Sequence, residues 1–148
     1  MTLRVLSIAT LFPDAARPNF GLFVEKSLRA LAAQPGIDLT IVAPVGLPLF
    51  PLSLHKRYRA LRDLPRTENW HGLTVLRPRF TLIPRIGARF NPAKVARAIL
   101  SAVHGQSFDV IDAQFFYPDG PAAMRVPAAL GLPFSAQARG GDISHFGR

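Results

Sequence analysis

The chain has 148 residues, 49% of them hydrophobic, which suits one folded domain and excludes a disordered chain. It has no cysteine, which excludes disulfides and thiolate metal sites, and its longest uncharged run, residues 39–54, is too short and too proline-rich to span a membrane. The formal net charge is +9.

The first fifty residues predict a β-α-β unit. Residues 3–9 (LRVLSIA) and 37–43 (IDLTIVA) are short aliphatic runs typical of strands covered on both faces. We interpret the first run as a buried strand and not a signal peptide, because it ends at Pro13-Asp14 without a cleavage pattern. A helix is expected between the strands from four apolar residues at helical spacing: Phe20, Val24, Leu28 and Leu31.

The remaining elements are predicted in less detail. Residues 44–70 are expected to form a long loop with one short helix around 54–61, followed by a strand at 71–77. Asn91 and Pro92 suit the N-cap and first position of a helix that ends near Gly105. Strands are predicted at 108–113 and 132–138, with a helix capped by Asp119 and kinked or shortened by Pro127 between them.

Alternating strands and helices predict the fold class: an α/β, Rossmann-like, doubly wound and mostly parallel sheet in a single domain over residues 1–148. In such sheets, ligands bind beyond the carboxyl ends of the strands. The loops after those ends are therefore the candidate site.

The excess positive charge is confined to residues 55–97, which hold eleven basic and two acidic side chains, whereas the rest of the chain is balanced. Such a segment suits an anionic partner, and a solvated basic face is the alternative. Apolar residues 47–54 run directly into the basic cluster, which favours contact with an anionic membrane surface. The candidate membrane or anion contacts are Lys56, Arg57, Arg59 and Arg62.

Phe20 and Gly21 are the candidate donor-phosphate contacts. Gly21 opens the first helix, where free N–H groups attract phosphate. The loop has neither a G-x-G-x-x-G fingerprint nor a P-loop lysine, and a simple turn requirement is the alternative.

Gln114 and Tyr117 are the candidate acceptor-binding residues after the fourth predicted strand. Aromatic and amide groups together suit the recognition of a sugar. Phe115 and Phe116 could instead fill the core.

Arg139, Gly140 and Asp142 follow the fifth predicted strand and complete the candidate acceptor site. Arg139 could clamp a phosphate and Asp142 could accept a hydroxyl proton, or the two could form a plain salt bridge. The four histidines lack metal-ligand spacing, so no metal is predicted, and no G-x-S-x-G elbow supports a hydrolase.

Six segments in order resemble the N-terminal half of family-4-type retaining glycosyltransferases with the GT-B architecture. They are LSIATLFPD, PNFGLFVEKSLRAL, IVAP, RPRF, FDVIDAQFFYPDG and LPFSAQARGGDI. The resemblance implies a hexosyltransferase-type enzyme of cell-envelope polysaccharide or glycolipid synthesis. It implies a nucleotide-sugar co-substrate and no other cofactor, a sugar or lipid-linked acceptor, and a cytoplasmic location that extends to the inner face of the membrane. It also implies that Gly21 approaches the donor phosphates.

The chain departs from this family in two ways. Gln114 stands where many relatives have histidine, and an amide cannot shuttle a proton, so no catalytic residue is assigned. The second domain with its pair of glutamates is not in this sequence, so we expect no turnover without a C-terminal half in cis or trans.

Two other functions stay open from the sequence. A nucleic-acid-binding module would use the arginines on phosphates and stack bases on Trp70, Phe80 and Phe90, but no recognisable motif supports it and we expect no nucleic acid partner. A non-catalytic Rossmann-like domain that pairs with another chain would expose apolar surface at the docking face.

Overall fold

The structure, a computed structural model, describes residues 1–82, 87–115 and 119–140, with the backbone alone at 87–90, 119, 120, 123, 127 and 128. The strands are β1 Leu3–Ile8, β2 Ile37–Val42, β3 Val45–Pro48, β4 Thr67–Trp70, β5 Leu73–Leu76, β6 Arg79–Leu82, β7 Val110–Ala113 and β8 Phe134–Ala136. The helices are α1 Leu22–Ala32, α2 Lys56–Arg62, α3 Gly87–Ala102 and α4 Asp119–Leu130, and a 3₁₀ turn covers Leu52–Leu54.

Six strands form the central sheet in the order β4-β5-β2-β1-β7-β8. All neighbours are parallel except β4, which runs antiparallel to β5 at one edge. The chain moves outward from β1 through β2 to β5 and then returns to the other side of β1 with β7. The strand order therefore reverses between β1 and β7, which is where ligands bind in sheets of this kind. The predicted α/β Rossmann-like fold is confirmed.

Helices cover both faces of the sheet, which explains the aliphatic strand sequences. In β1, Val5 packs in a cluster with Leu28 of α1, whereas Leu6 packs in another with Ile99 of α3 and Val126 of α4. Because successive side chains of a strand point to opposite faces, a strand buried on both sides has no position left for polar alternation.

Three strands, β3, β4 and β6, were missing from the sequence prediction. β4 (TENW) is an antiparallel edge strand with alternately exposed residues, and so lacks a continuous apolar run. Within the described residues, β3 and β6 form a separate two-stranded sheet. Glycine and proline make β3 (VGLP) look like a loop in the sequence, and a Cβ at Gly46 would lie 2.8 Å from Cζ of Phe80, so the ring would have to shift to accommodate one.

Two helix predictions need correction. α3 begins at Gly87 and not at Asn91, so Pro92 lies inside the helix and not at its first position. α4 continues through Pro127 to Leu130, so the proline does not shorten it, and a kink at Pro127 stays a prediction. In both cases tertiary packing of the helix outweighs the local cost of a proline.

No helix within residues 1–82, 87–115 and 119–140 combines the length and the apolar character needed to cross a membrane.

An ion pair joins the amino ends of β1 and β7. Arg4 donates from Nη2 to Oδ1 of Asp109 at 2.8 Å and from its backbone N to Oδ2 at 2.8 Å. The hydrogen bonds from Arg4 hold the pKa of Asp109 at about 2, below the ordinary 3.8. The carboxylate therefore stabilises the fold above about pH 4, and this contribution is lost as the pH falls towards 2.

We predict that Asp109→Asn flattens the fall in unfolding free energy between pH 4 and pH 2, because the protonation linked to folding disappears. Chemical denaturation at a series of pH values measures it. Arg4→Gln should flatten the curve less, because the backbone N at position 4 still donates to Asp109, and the double variant should add little to Asp109→Asn. Curves parallel to the wild type would contradict the assignment.

Candidate functional site

Gly21 is required by the backbone at the start of α1. It has φ +75°, and a Cβ would lie 2.7 Å from the carbonyl oxygen of Leu11. The turn requirement thus accounts for a glycine here without a ligand. Its role at donor phosphates, and that of Phe20, stays a prediction.

A tight turn organises the loop before α1. Asp14 is fully buried, and its carboxylate accepts from Nη2 of Arg17 at 2.7 Å and from the backbone N of Ala16 at 2.9 Å. The Arg17 guanidinium lies 4.2 Å from the centre of the Phe20 ring. Asp14 therefore fixes both Arg17 and Phe20 beside the start of α1.

A cleft of about 320 Å³ opens beside this loop. It gathers residues that follow β1 and β2 together with residues of α2, β6 and α3. Arg17 and Arg57 both line it, so the cleft has two cations from distant parts of the chain. Sequence analysis missed Arg17, whose only signal is the Asp14-x-x-Arg17 spacing of a capped turn.

The four predicted membrane or anion contacts lie on the seven-residue helix α2. Lys56, Arg57, Arg59 and Arg62 are all exposed, while Leu61 is buried in a small cluster with Val45. Of the four, Arg57 lines the cleft.

Gln114 is fully buried at the end of β7. Its Nε2 donates to Oγ of Ser7 at 3.3 Å and to the Asp112 carboxylate, while its Oε1 accepts from Nη2 of Arg139 at 2.8 Å. The amide is therefore held between a carboxylate and a guanidinium. The structure shows that Gln114 contacts and positions Arg139. Direct contact of Gln114 with an acceptor stays a prediction.

Asp112 is a buried carboxylate between the central strands. Ser135 Oγ of β8 donates to its Oδ1 at 2.9 Å, and Ser7 Oγ of β1 lies 3.5 Å from its Oδ2. Hydrogen bonds of this kind offset the cost of burying a charge. The sequence signal for this network is a polar residue inside each otherwise aliphatic strand, Ser7 in β1 and Asp112 in β7.

Arg139 brings three chain segments together at the carboxyl edge. Its guanidinium carbon lies 5.2 Å from the centre of the Phe23 ring in α1 and 5.6 Å from that of Phe115. Its Nε also donates to the backbone oxygen of Gln114 at 2.9 Å. Gly140 follows as an exposed residue. The helix that Gly21 starts, the end of β7 and the segment after β8 therefore meet at one place.

Two other predicted site residues, Tyr117 and Asp142, lie outside the described residues. Among the side chains that the structure describes, no group of three or more histidines and carboxylates could hold a metal ion.

Part of the basic stretch is structural. Arg77 is fully buried, donates to the Glu68 carboxylate and donates from Nη2 to the carbonyl oxygen of Pro13 at 2.7 Å. Of the proposed base-stacking residues, Trp70 and Phe80 pack against the two main core clusters, and the Phe90 side chain is outside the described set. This packing weakens the nucleic-acid alternative.

Comparison with known proteins finds a distant similarity that covers nearly the whole chain. No family model matches the chain. The chain is 27% identical over 146 residues to a protein of Bacillus subtilis (strain 168) named "Putative teichuronic acid biosynthesis glycosyltransferase TuaC". The alignment covers 96% of this chain and 37% of that protein. This distant match supports the resemblance to glycosyltransferases.

We predict that Gly21→Ala destabilises the fold more than Gly105→Ala. Both glycines have positive φ, +75° and +78°, so each substitution should cost about 1–2 kcal/mol in backbone strain. At Gly105 no atom lies within 4 Å of the new Cβ, whereas at Gly21 the Leu11 carbonyl must move. Urea unfolding of both variants measures the difference, and equal losses would contradict the close approach.

Proposed function

We propose that this chain is the N-terminal, acceptor-side portion of a glycosyltransferase that transfers a sugar from a nucleotide-sugar donor to an acceptor hydroxyl. The observation that carries the proposal is the similarity to a protein named as a glycosyltransferase, which runs through 96% of the chain. The α/β fold supports it, since Gly21, Gln114 and Arg139 belong to loops at the ligand-binding edge of the sheet.

The finer assignment rests on the sequence resemblance. We place the chain with family-4-type, retaining, GT-B enzymes of the hexosyltransferase type, acting in cell-envelope polysaccharide or glycolipid synthesis. The chain spans about 37% of the length of the curated relative, whose name refers to teichuronic acid biosynthesis. A second domain, in cis or in trans, would supply most of the donor site. Exposed apolar side chains at the start of α1, Leu22 and Phe23, suit contact with it.

Arg139 has the strongest claim among the site residues to contact a substrate. Its contacts with Gln114 and two aromatic rings limit its freedom, so little ordering entropy remains to be lost when an anion binds. A guanidinium cation attracts a phosphate anion strongly. We assign Arg139 to a phosphate of the donor or of a lipid-linked acceptor, and Gln114 to its positioning.

The test is a transfer assay with the complete product of the reading frame that contains this chain. Labelled nucleotide sugars and a membrane lipid extract should give a labelled glycolipid or polysaccharide. A complete product that transfers no sugar from any common donor would contradict the proposed function.

Arg139→Lys should lower kcat/KM about tenfold or more in that assay, because an ammonium cannot reproduce the stacked, forked guanidinium. Arg125→Lys is the matched control, since Arg125 is exposed on α4, and it should keep kcat/KM within about twofold. If the two variants lowered kcat/KM equally, the assignment of Arg139 to the substrate site would be contradicted, whereas the transferase assignment would be unaffected.

We further propose that the segment before α2 binds the anionic inner face of the membrane. Four apolar side chains, Leu49, Phe50, Leu52 and Leu54, are 69%, 77%, 55% and 54% exposed. The exposed cations of α2 follow them directly in the chain. Apolar groups beside cations suit the headgroup layer of an anionic bilayer, where each cation contributes about 1 kcal/mol. This would place a cytoplasmic enzyme close to lipid-linked acceptors.

Vesicle flotation tests the membrane contact. We predict that the chain floats with vesicles containing anionic phosphatidylglycerol and that Phe50→Ser/Leu52→Ser loses most of this recovery, because the apolar insertion is removed. Met124→Ser/Leu130→Ser removes two exposed apolar side chains of α4 and should float like the wild type. Equal recovery with neutral and anionic vesicles would end the idea.

A further inference from the structure

A second basic groove lies between α3 and the strands β4 to β6, and neither Gln114 nor Arg139 lines it. Two adjoining cavities of about 290 and 280 Å³ form it, and both are lined by Arg79 and Ser101. Four cations line the groove: Arg66, Arg79, Lys94 and Arg97.

No carboxylate lines either cavity among the described residues. Glu68, which follows the lining residue Thr67 in β4, is bound to the buried Arg77. Burial, together with repulsion from Arg66 and Arg77, lowers the pKa of Arg79 below its ordinary value. An anion in the groove would relieve this repulsion, so the electrostatics favour a negatively charged ligand.

The Arg79 guanidinium is held in place by the backbone. The Arg79 guanidinium donates to the carbonyl oxygens of Arg77, at 2.6 Å, and of Leu64, which fixes it between the two cavities. Lys94, Arg97 and Ser101 are three and four residues apart on α3, so they share one face of the helix. The groove therefore offers a fixed guanidinium with two further cations and a hydroxyl on one side.

We propose that this groove binds a diphosphate group, with one phosphate in each cavity and the Arg79 guanidinium between them. Arginine is the side chain best suited to phosphate, and adjoining cavities that share one guanidinium suit two linked phosphates better than one. The site is separate from the transferase site proposed above and does not depend on it. A soluble diphosphate and the headgroup of a lipid diphosphate present the same chemistry.

Calorimetric titration of the chain with inorganic pyrophosphate tests the groove. We expect one saturable site, and orthophosphate should bind at least tenfold more weakly at equal ionic strength. Lys94→Gln/Arg97→Gln should weaken pyrophosphate binding at least tenfold. Lys26→Gln/Arg125→Gln makes the same charge change on the exposed faces of α1 and α4 and should leave the Kd within about twofold.

Three results would overturn the proposal: no saturable binding of pyrophosphate, equal weakening by the two double variants, or equal binding of orthophosphate. Thermal unfolding of each variant shows whether it is folded, and Ser101→Asp, which adds a negative charge to the groove, should give the same loss by a different substitution.

A vesicle arm identifies the source of the diphosphate. If the ligand is a lipid, the chain should float with neutral phosphatidylcholine vesicles that contain farnesyl diphosphate, and free pyrophosphate should release it. Binding of pyrophosphate in solution without such flotation assigns the groove to a soluble diphosphate. The Lys94→Gln/Arg97→Gln variant must abolish whichever binding is seen, and its failure to do so contradicts the groove as the site.

Discussion

The parallel pairing of β1 with β2 on one side and β7 on the other is the constraint on which the structure depends. Because β1 is buried on both faces, its side chains from Val5 to Ile8 are apolar except for Ser7, which belongs to the buried Asp112 network. Parallel strands also end at the same edge, so the loops that follow β1 and β7 become neighbours although a hundred residues separate them. The contact of Phe23 with Phe115, with ring centres 6.1 Å apart, is a direct consequence.

The same constraint decides which features the sequence could predict. Four of the five predicted strands, β1, β2, β5 and β7, are largely buried, and their aliphatic runs with the helix spacing of Val24 and Leu28 indicated the parallel core; β8 is exposed. β4 and β6 left no such pattern, since each has half-exposed side chains. The residues of the candidate site also differ in how far the sequence predicts them. Arg139 could be placed at the edge from its position after a strand, whereas Arg17 required knowledge of the Asp14 turn.

Residues 55–97 show why charge in a sequence does not identify a binding surface by itself. Arg77 has a structural role, since it is buried and donates to Glu68 and to the Pro13 carbonyl. The cations of α2 are exposed beside an apolar segment, and Lys94 and Arg97 line a groove with Arg79. One compositional feature thus separates into a structural ion pair, a candidate lipid-facing helix and a candidate diphosphate groove. These three roles are distinguished by the burial and the hydrogen-bond partners of each basic side chain, and a count of charges in the sequence gives neither.

The hydrogen bonds that link Asp112, Gln114 and Arg139 all run in one donor-to-acceptor direction, and this explains why glutamine suits position 114. A carboxylate only accepts hydrogen bonds and a guanidinium only donates them, so a side chain between Asp112 and Arg139 must donate on one side and accept on the other. The amide of Gln114 does this in a single orientation, with Nε2 towards Asp112 and Oε1 towards Arg139. A neutral histidine could also do so, but it would lose its acceptor nitrogen on protonation and repel the guanidinium. Glutamine does not titrate, and so it keeps Arg139 in place across the whole physiological pH range.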